Sequence, residues 1–398
     1  MSGAPESIGV LERKEVTTRC APEDNDGGSF LNDPDLVQMP LTERLPDAVQ
    51  KLQISEMRPR FSARKCDINR WLEQSGINEH DEPHEGRVAN GTWQLGELFR
   101  HTRHKIYAAV FGARNHDIGY DVKGRDPRTL SKEDYADHPE RGAQMFGEAI
   151  NEVHPPWWGP EHSQIARDSI LYHNNGSRSY VQYWKDREGR LMTWDDILPM
   201  YTRLVDKVDN TYERVYPSHM EELGRVLGLS PETIRTQMHA NMELLLSSPE
   251  DAARFALAAK IRAQFLKKQR GDSEEVFDRL RQHDPRFTHR IVPYAITTQN
   301  LLYSPQRKKL GVIYDVDTDR VGSVLGIRYT PDDHYQHFLE AYERSCKHAA
   351  DVGYRIHTLL TGEQSDASEP MLSVIFNYGN KEMREVEFTP LTSEKHAP

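Results

Sequence analysis

Among the side chains able to bind a transition metal between positions 84 and 206, six form an ordered series: His84, His116-Asp117, His138, His173, Asp206. The stretches around them carry the apolar spacing of helices. Val88, Leu95, Leu98 and Phe99 space one face, and Ile106, Val110 and Phe111 a second. Ile165, Ile170 and Leu171 space a third, and Leu198, Tyr201, Leu204, Val205 and Val208 a fourth. A chain that uses these six residues together must pack several helices so that an end or face of each meets at one point. Four imidazoles and two carboxylates are what two divalent ions need if a water is to be activated between them.

The pair His116-Asp117 is the most restrictive piece. Neighbouring side chains on a helix diverge by about 100°. Both reach one ion only where the helix ends or bends, or where a second metal shares the aspartate. The apolar stretch IYAAVFGA before the pair and Gly119 after it are consistent with a helix that stops there. The dipeptide alone carries little, because His80-Asp81 and His283-Asp284 occur in the same chain. Asp209 follows Asp206 by three residues, and spacing alone does not choose between them.

The ordered series, with LSKEDYADHPERGAQMF around His138 and ILYHNNG around His173, resembles the HD superfamily of metal-dependent phosphohydrolases, in the two-metal branch related to HD-GYP domains. The likeness spans about residues 80 to 215. It implies that His84, His116, Asp117 and Asp206 hold a first metal, with Asp117 bridging, and that His138 and His173 serve a second. It also favours Asp206 over Asp209. The activity implied is that of a phosphomonoesterase or phosphodiesterase acting on a nucleotide or small phosphorylated metabolite through a metal-activated water. The cofactor would be two divalent transition ions, Fe, Mn or Co.

Asp117, Lys123 and Arg141 are the expected catalytic set, with Arg178 and Lys207 as further cations near in sequence for the phosphate. The lysine that often follows the HD glycine is replaced by Tyr120, and the GYP tripeptide and the doubled histidine are absent. A di-iron HD-type oxygenase, or a non-catalytic HD regulator binding a ligand or DNA, are the alternatives.

Composition narrows the partners. The 398 residues include 51 Lys+Arg against 62 Asp+Glu, a formal charge of −11, which argues against phosphate-backbone binding by the surface as a whole. Nucleic acid is therefore not favoured. The helix-turn-helix-like stretch Glu222 to Met238 offers only Arg235 as a cation on its second helix. Lys260 to Arg270, and His101 and His104 among Arg100, Arg103 and Lys105, read as solvated basic faces. Asp315, Asp317 and Asp319 alternate like part of a calcium loop but lack its glycine and closing glutamate, so they read as a strand end. Cys20, Cys66 and Cys346 are distant and odd in number, which gives no disulfide framework. With no apolar run near 20 residues and no signal-like start, the expectation is a cytoplasmic protein without a membrane partner.

The fold expected is a mainly α-helical HD-type domain followed by a smaller α+β C-terminal domain. Residues 1–54, with APEDNDGGSFLNDPDL, read as a flexible tail, 55–215 as the helical metal domain and 216–290 as a helical extension. Residues 291–398 carry the β-rich runs IVPYAITT, LGVIYDV, VGSVLGIRY and MLSVIFNY and one amphipathic helix, HYQHFLEAYERSCKHAADVG. The break between Pro285 and Pro293 is the expected boundary.

Overall fold

The apolar spacing in the first half is realised as helices that share one core. A computed structural model describes residues 29–42, 45, 82–120, 136–152, 157–174, 178–187, 190–246, 273–363, 368–379 and 382–391. Within it run α1 (Glu82–Leu98), α2 (Arg103–Arg114), α3 (His138–Glu152), α4 (Pro160–Leu171), α5 (Arg178–Lys185), α6 (Trp194–Ile197) and α7 (Met200–Val208). They are followed by α8 (Pro217–Val226), α9 (Pro231–Leu246), α10 (Ser273–His283) and α11 (Thr288–Ala295). Val88, Leu95, Ile106, Val110, Ile165, Ile170, Leu204, Val205 and Val208 all fall in one buried apolar cluster. His80, Asp81 and the stretch Lys260 to Arg270 lie outside the described residues.

Among the described residues a five-stranded sheet follows, in the order β1 (Val37–Pro40), β2 (Ile296–Ser304), β3 (Lys309–Val316), β4 (Leu372–Asn377), β5 (Met383–Phe388). Neighbours are antiparallel except β3 and β4, which are parallel and therefore need a crossover. The crossover contains α12 (Thr318–Leu325) and the long α13 (Pro331–Thr361). Its 31 residues extend about 46 Å. Thr330 and Asp333 form a capping box at its start, and Gly362 in the left-handed region closes it.

Three expectations from sequence are corrected. VGSVLGIRY is not a strand. Asp317 caps the helix α12 by accepting from the Asp319 N–H, and Gly326 at φ 64° ends it, so local capping outweighs the β propensity of its valines. IVPYAITT is split, its first half forming the end of α11. Pro293 has no N–H for the carbonyl of His289, and the Tyr342 hydroxyl donates to that carbonyl instead at 3.2 Å.

The third correction concerns the termini of the expected domains. Residues 37–40, inside the segment read as a tail, form the edge strand β1, with Val37 opposite Tyr303 and Pro40 opposite Asn300. Ahead of them Phe30 is fully buried with Leu302 and Ile375 against the sheet face. A polar average over the first 54 residues hides these few apolar side chains. Nor does the core divide near Pro285. The cluster that holds Val88 and Ile170 also holds Tyr314, Phe338 and Phe376.

Candidate metal centre

Each of the six residues sits where a helix begins or ends, except Asp206 on the body of α7. His84 lies in the first turn of α1, and α2 stops at Arg114, so His116 and Asp117 occupy the turn that follows. His138 opens α3, and His173 comes two residues after α4 ends. None is more than 6% exposed.

Two glycines allow the necessary closeness. A Cβ on Gly112 would meet the carbonyl oxygen of Ala166 at 2.3 Å, so its absence lets α2 lie against α4. A Cβ on Gly119 would meet the carbonyl oxygen of His138 at 1.8 Å and the nitrogen of Gly142 at 2.5 Å. The start of α3 is thereby seated on the His116-Asp117 turn.

The side chains converge as two groups joined by one carboxylate. His84 Nε2 lies 3.2 Å from His116 Nε2 and 3.3 Å from Asp206 Oδ1. Oδ2 of Asp117 is 3.1 Å from His116 Nε2 and 3.8 Å from His84 Nε2. Its other oxygen, Oδ1, is 3.4 Å from His173 Nε2 and 3.5 Å from His138 Nε2, and those two nitrogens face each other at 2.9 Å. Three ligand trios result: His84, His116 and Asp117; His116, His173 and Asp206; Asp117, His138 and His173, each within 4.8 Å.

The far sides of the rings fix their protons. His116 Nδ1 donates to the carbonyl of Ala113 at 2.7 Å, and His173 Nδ1 to that of Ile170 at 2.5 Å. His84 Nδ1 donates to Oδ2 of Asp209 at 2.6 Å. The ring nitrogens of His84 and His116 that face each other therefore both present lone pairs, and only a proton or a cation between them relieves the repulsion. Burial opposes a charge on His116, but Asp117 and Asp206 outweigh it and raise its pKa well above the usual range. The donor set, four imidazoles and two carboxylates, fits divalent transition ions. His173, pushed down to about 3 mainly by burial, is neutral and available as a ligand.

Asp206 and Asp209 take different tasks. Asp206 turns Oδ1 to the imidazoles while Oδ2 receives the Lys207 ammonium at 2.5 Å. Burial works against its ionisation, yet Lys207 and the two histidines hold its pKa well below the carboxylate range. Asp209 stands behind His84, where Arg87 Nε donates to it at 2.9 Å and the Gln299 amide also donates. Its pKa is lowered too, Arg87 and His84 overcoming burial.

The other sequence candidates fall as follows. Arg141 Nε donates to the carbonyl of Gly119 at 3.0 Å, so it braces the His116-Asp117 turn. Lys123 lies outside the described residues, and Arg178 opens α5. The Tyr120 ring stacks on His138 with centroids 3.9 Å apart. His101 Nε2 pairs with the Tyr201 hydroxyl at 3.0 Å, and His104 stacks on Trp157. Arg235 is paired with Glu221 at 3.0 Å. Sequence reasoning missed Arg203, Gln299 and His348. Their signal is a polar residue at an inward position of an apolar pattern, each being under 9% exposed.

Comparison of the chain with protein-family models, with curated proteins and with solved structures finds no match. Among the described residues, no helix is long and apolar enough to cross a membrane.

Proposed function

We propose that this chain is an HD-type, metal-dependent phosphoric ester hydrolase acting on a nucleotide or small phosphorylated metabolite at a binuclear centre. The observation that carries the reading is the division of Asp117, whose Oδ2 faces His116 and whose Oδ1 faces His138 and His173. His84, His116, Asp206 and Asp117 would hold one ion, and His138, His173 and Asp117 the other. Two ions bound there would make a hydroxide available near neutral pH and neutralise charge on phosphoryl oxygens.

The chain's own groups prepare that chemistry. Asp209 and the carbonyls of Ala113 and Ile170 keep the donor protons on the far nitrogens of three imidazoles. Lys207, fixed on Asp206, brings a positive charge to the edge of the centre for a phosphoryl oxygen. Burial of all six ligands removes competing water, which strengthens each of these interactions.

A second reading, a di-iron oxygenase, is favoured by one feature: Tyr120, stacked on His138, occupies the place of the lysine usual in HD hydrolases. Metal analysis of the purified chain, followed by a screen of phosphorylated compounds, tests the first reading. Release of phosphate that is independent of oxygen supports it. Turnover only with iron and oxygen overturns it in favour of the second.

A further inference from the structure

The candidate centre is reached from the C-terminal half of the chain along two separate routes. On one, the Gln299 amide of β2 donates to Oδ1 of Asp209 and its Oε1 accepts the Asn210 N–H at 3.0 Å. Asp209 in turn holds Nδ1 of His84. Tyr314, opposite Gln299 in the β2–β3 register, donates its hydroxyl to the carbonyl of Val208 at 2.6 Å. Asp209, Gln299 and Tyr314 are all buried, so these bonds do not compete with solvent.

On the other route, the fully buried guanidinium of Arg203 donates through Nη1 to the carbonyls of Tyr172, at 3.1 Å, and Asn174, at 2.5 Å. These residues flank His173. Nη2 of Arg203 pairs with Nδ1 of His348 on α13 at 2.8 Å, and the guanidinium lies 3.8 Å over the Tyr180 ring. A ligating imidazole swings about its χ angles unless its far nitrogen and its backbone are held, and such outer contacts typically change metal affinity by about 10–100-fold.

We propose that the C-terminal sheet and long helix position the two metal sites separately: Gln299 orients His84 through Asp209, and His348 orients the turn bearing His173 through Arg203. The assignment rests on the binuclear reading above. It makes Gln299 and His348 positioning residues, and it makes the C-terminal half a structural part of the centre.

The test is Co2+ titration of the full-length chain by calorimetry, in two reference backgrounds. His173→Ala is expected to keep the ion beside His84, and His84→Ala the ion beside His173. Adding Gln299→Leu to His173→Ala is expected to weaken the remaining ion by about 10–100-fold. Adding it to His84→Ala is expected to change affinity by less than about twofold, since the two routes share no partner. His348→Leu is expected to give the reverse pattern. Gln299→Met keeps the length and apolar volume of the side chain and removes the donor to Asp209 without adding a charge, so it decides the matter if Gln299→Leu does not fold. Equal weakening in both backgrounds, or none, while the wild-type chain binds two ions, overturns the positioning assignment alone. A wild-type chain that binds no Co2+ overturns the binuclear reading and this assignment with it.

Discussion

Gly119 lies so close to His138 that a methyl group on its α-carbon would come within 1.8 Å of the His138 carbonyl oxygen. This backbone contact, braced by Arg141, seats the start of α3 on the turn carrying His116 and Asp117. Gly119→Ala should therefore push α3 away, destabilise the protein by roughly 1–3 kcal/mol or more, and release the ion shared by His138 and His173. Gly142→Ala, whose Cβ would stand 3.1 Å from the Gly119 nitrogen, should be milder. Urea denaturation and metal content of the two variants check this, and an unperturbed Gly119→Ala protein would contradict it.

Asp117 serves both groups of ligands, so Asp117→Ala should cost both ions and all activity. His116→Ala should cost the ion it would hold with His84 and Asp206, and activity with it, because it removes the partner of His84, Asp117 and Asp206 together. His80→Ala should leave both ions in place. Elemental analysis of the three purified variants is the measurement, and two ions retained by His116→Ala would refute the ligand assignment.

Three buried histidines outside the ligand set help to fix the acid limit of the fold. Burial pushes His334 down to about 3, burial and Arg290 push His219 to about 4, and burial with Arg203 and Lys207 pushes His348 to about 2. These folded values lie below the ordinary histidine value, so the unfolded chain takes up protons first. Their contribution is complete above about pH 6.5 and is lost as pH falls toward the folded values, by about 1 kcal/mol each at pH 5.5. Asp168, raised to about 6 by burial, opposes this between its unfolded and folded values, where the folded chain is the better proton acceptor. The net expectation is a drop on the order of 2 kcal/mol between pH 7 and 5.5, measured by urea unfolding. Stability that rises over that interval would be the contrary result.

Lys207 is expected to act on the anion more than on the ions. Lys207→Met should retain both metals while weakening competitive inhibition by inorganic phosphate about tenfold, the effect of losing one charge-assisted hydrogen bond. A variant that loses an ion instead would show that Lys207 works by holding Asp206.

Much of this architecture can be read from residue type and period alone. Val88, Ile106, Ile170 and Val205 mark their helices because burial on one face imposes a 3.6-residue spacing that any window displays. Gly119 does not end the helix, which stops at Arg114; it sits in the turn that follows, where its lack of a side chain permits the close approach of two backbones. The short β1, the helix α12 and the shared core were not legible in that way. Val37–Pro40 acquires its structure only because the edge of β2 arrives beside it, and the valines of α12 yield to caps at Asp317 and Gly326.

The order of four histidines and two aspartates, and hence the kind of ion the chain can bind, was determined by the sequence by itself, because ligand chemistry belongs to the side chain. Which aspartate faces the imidazoles was decided only by tertiary structure. Asp206 and Asp209 are chemically identical and three residues apart. What separates them is that Lys207 and the inward Nε2 atoms of His84 and His116 meet the first, while the far Nδ1 of His84, Arg87 from α1 and Gln299 from β2 meet the second. A carboxylate's task is set by the charges and donors packed around it, and those come from parts of the chain up to 125 residues away.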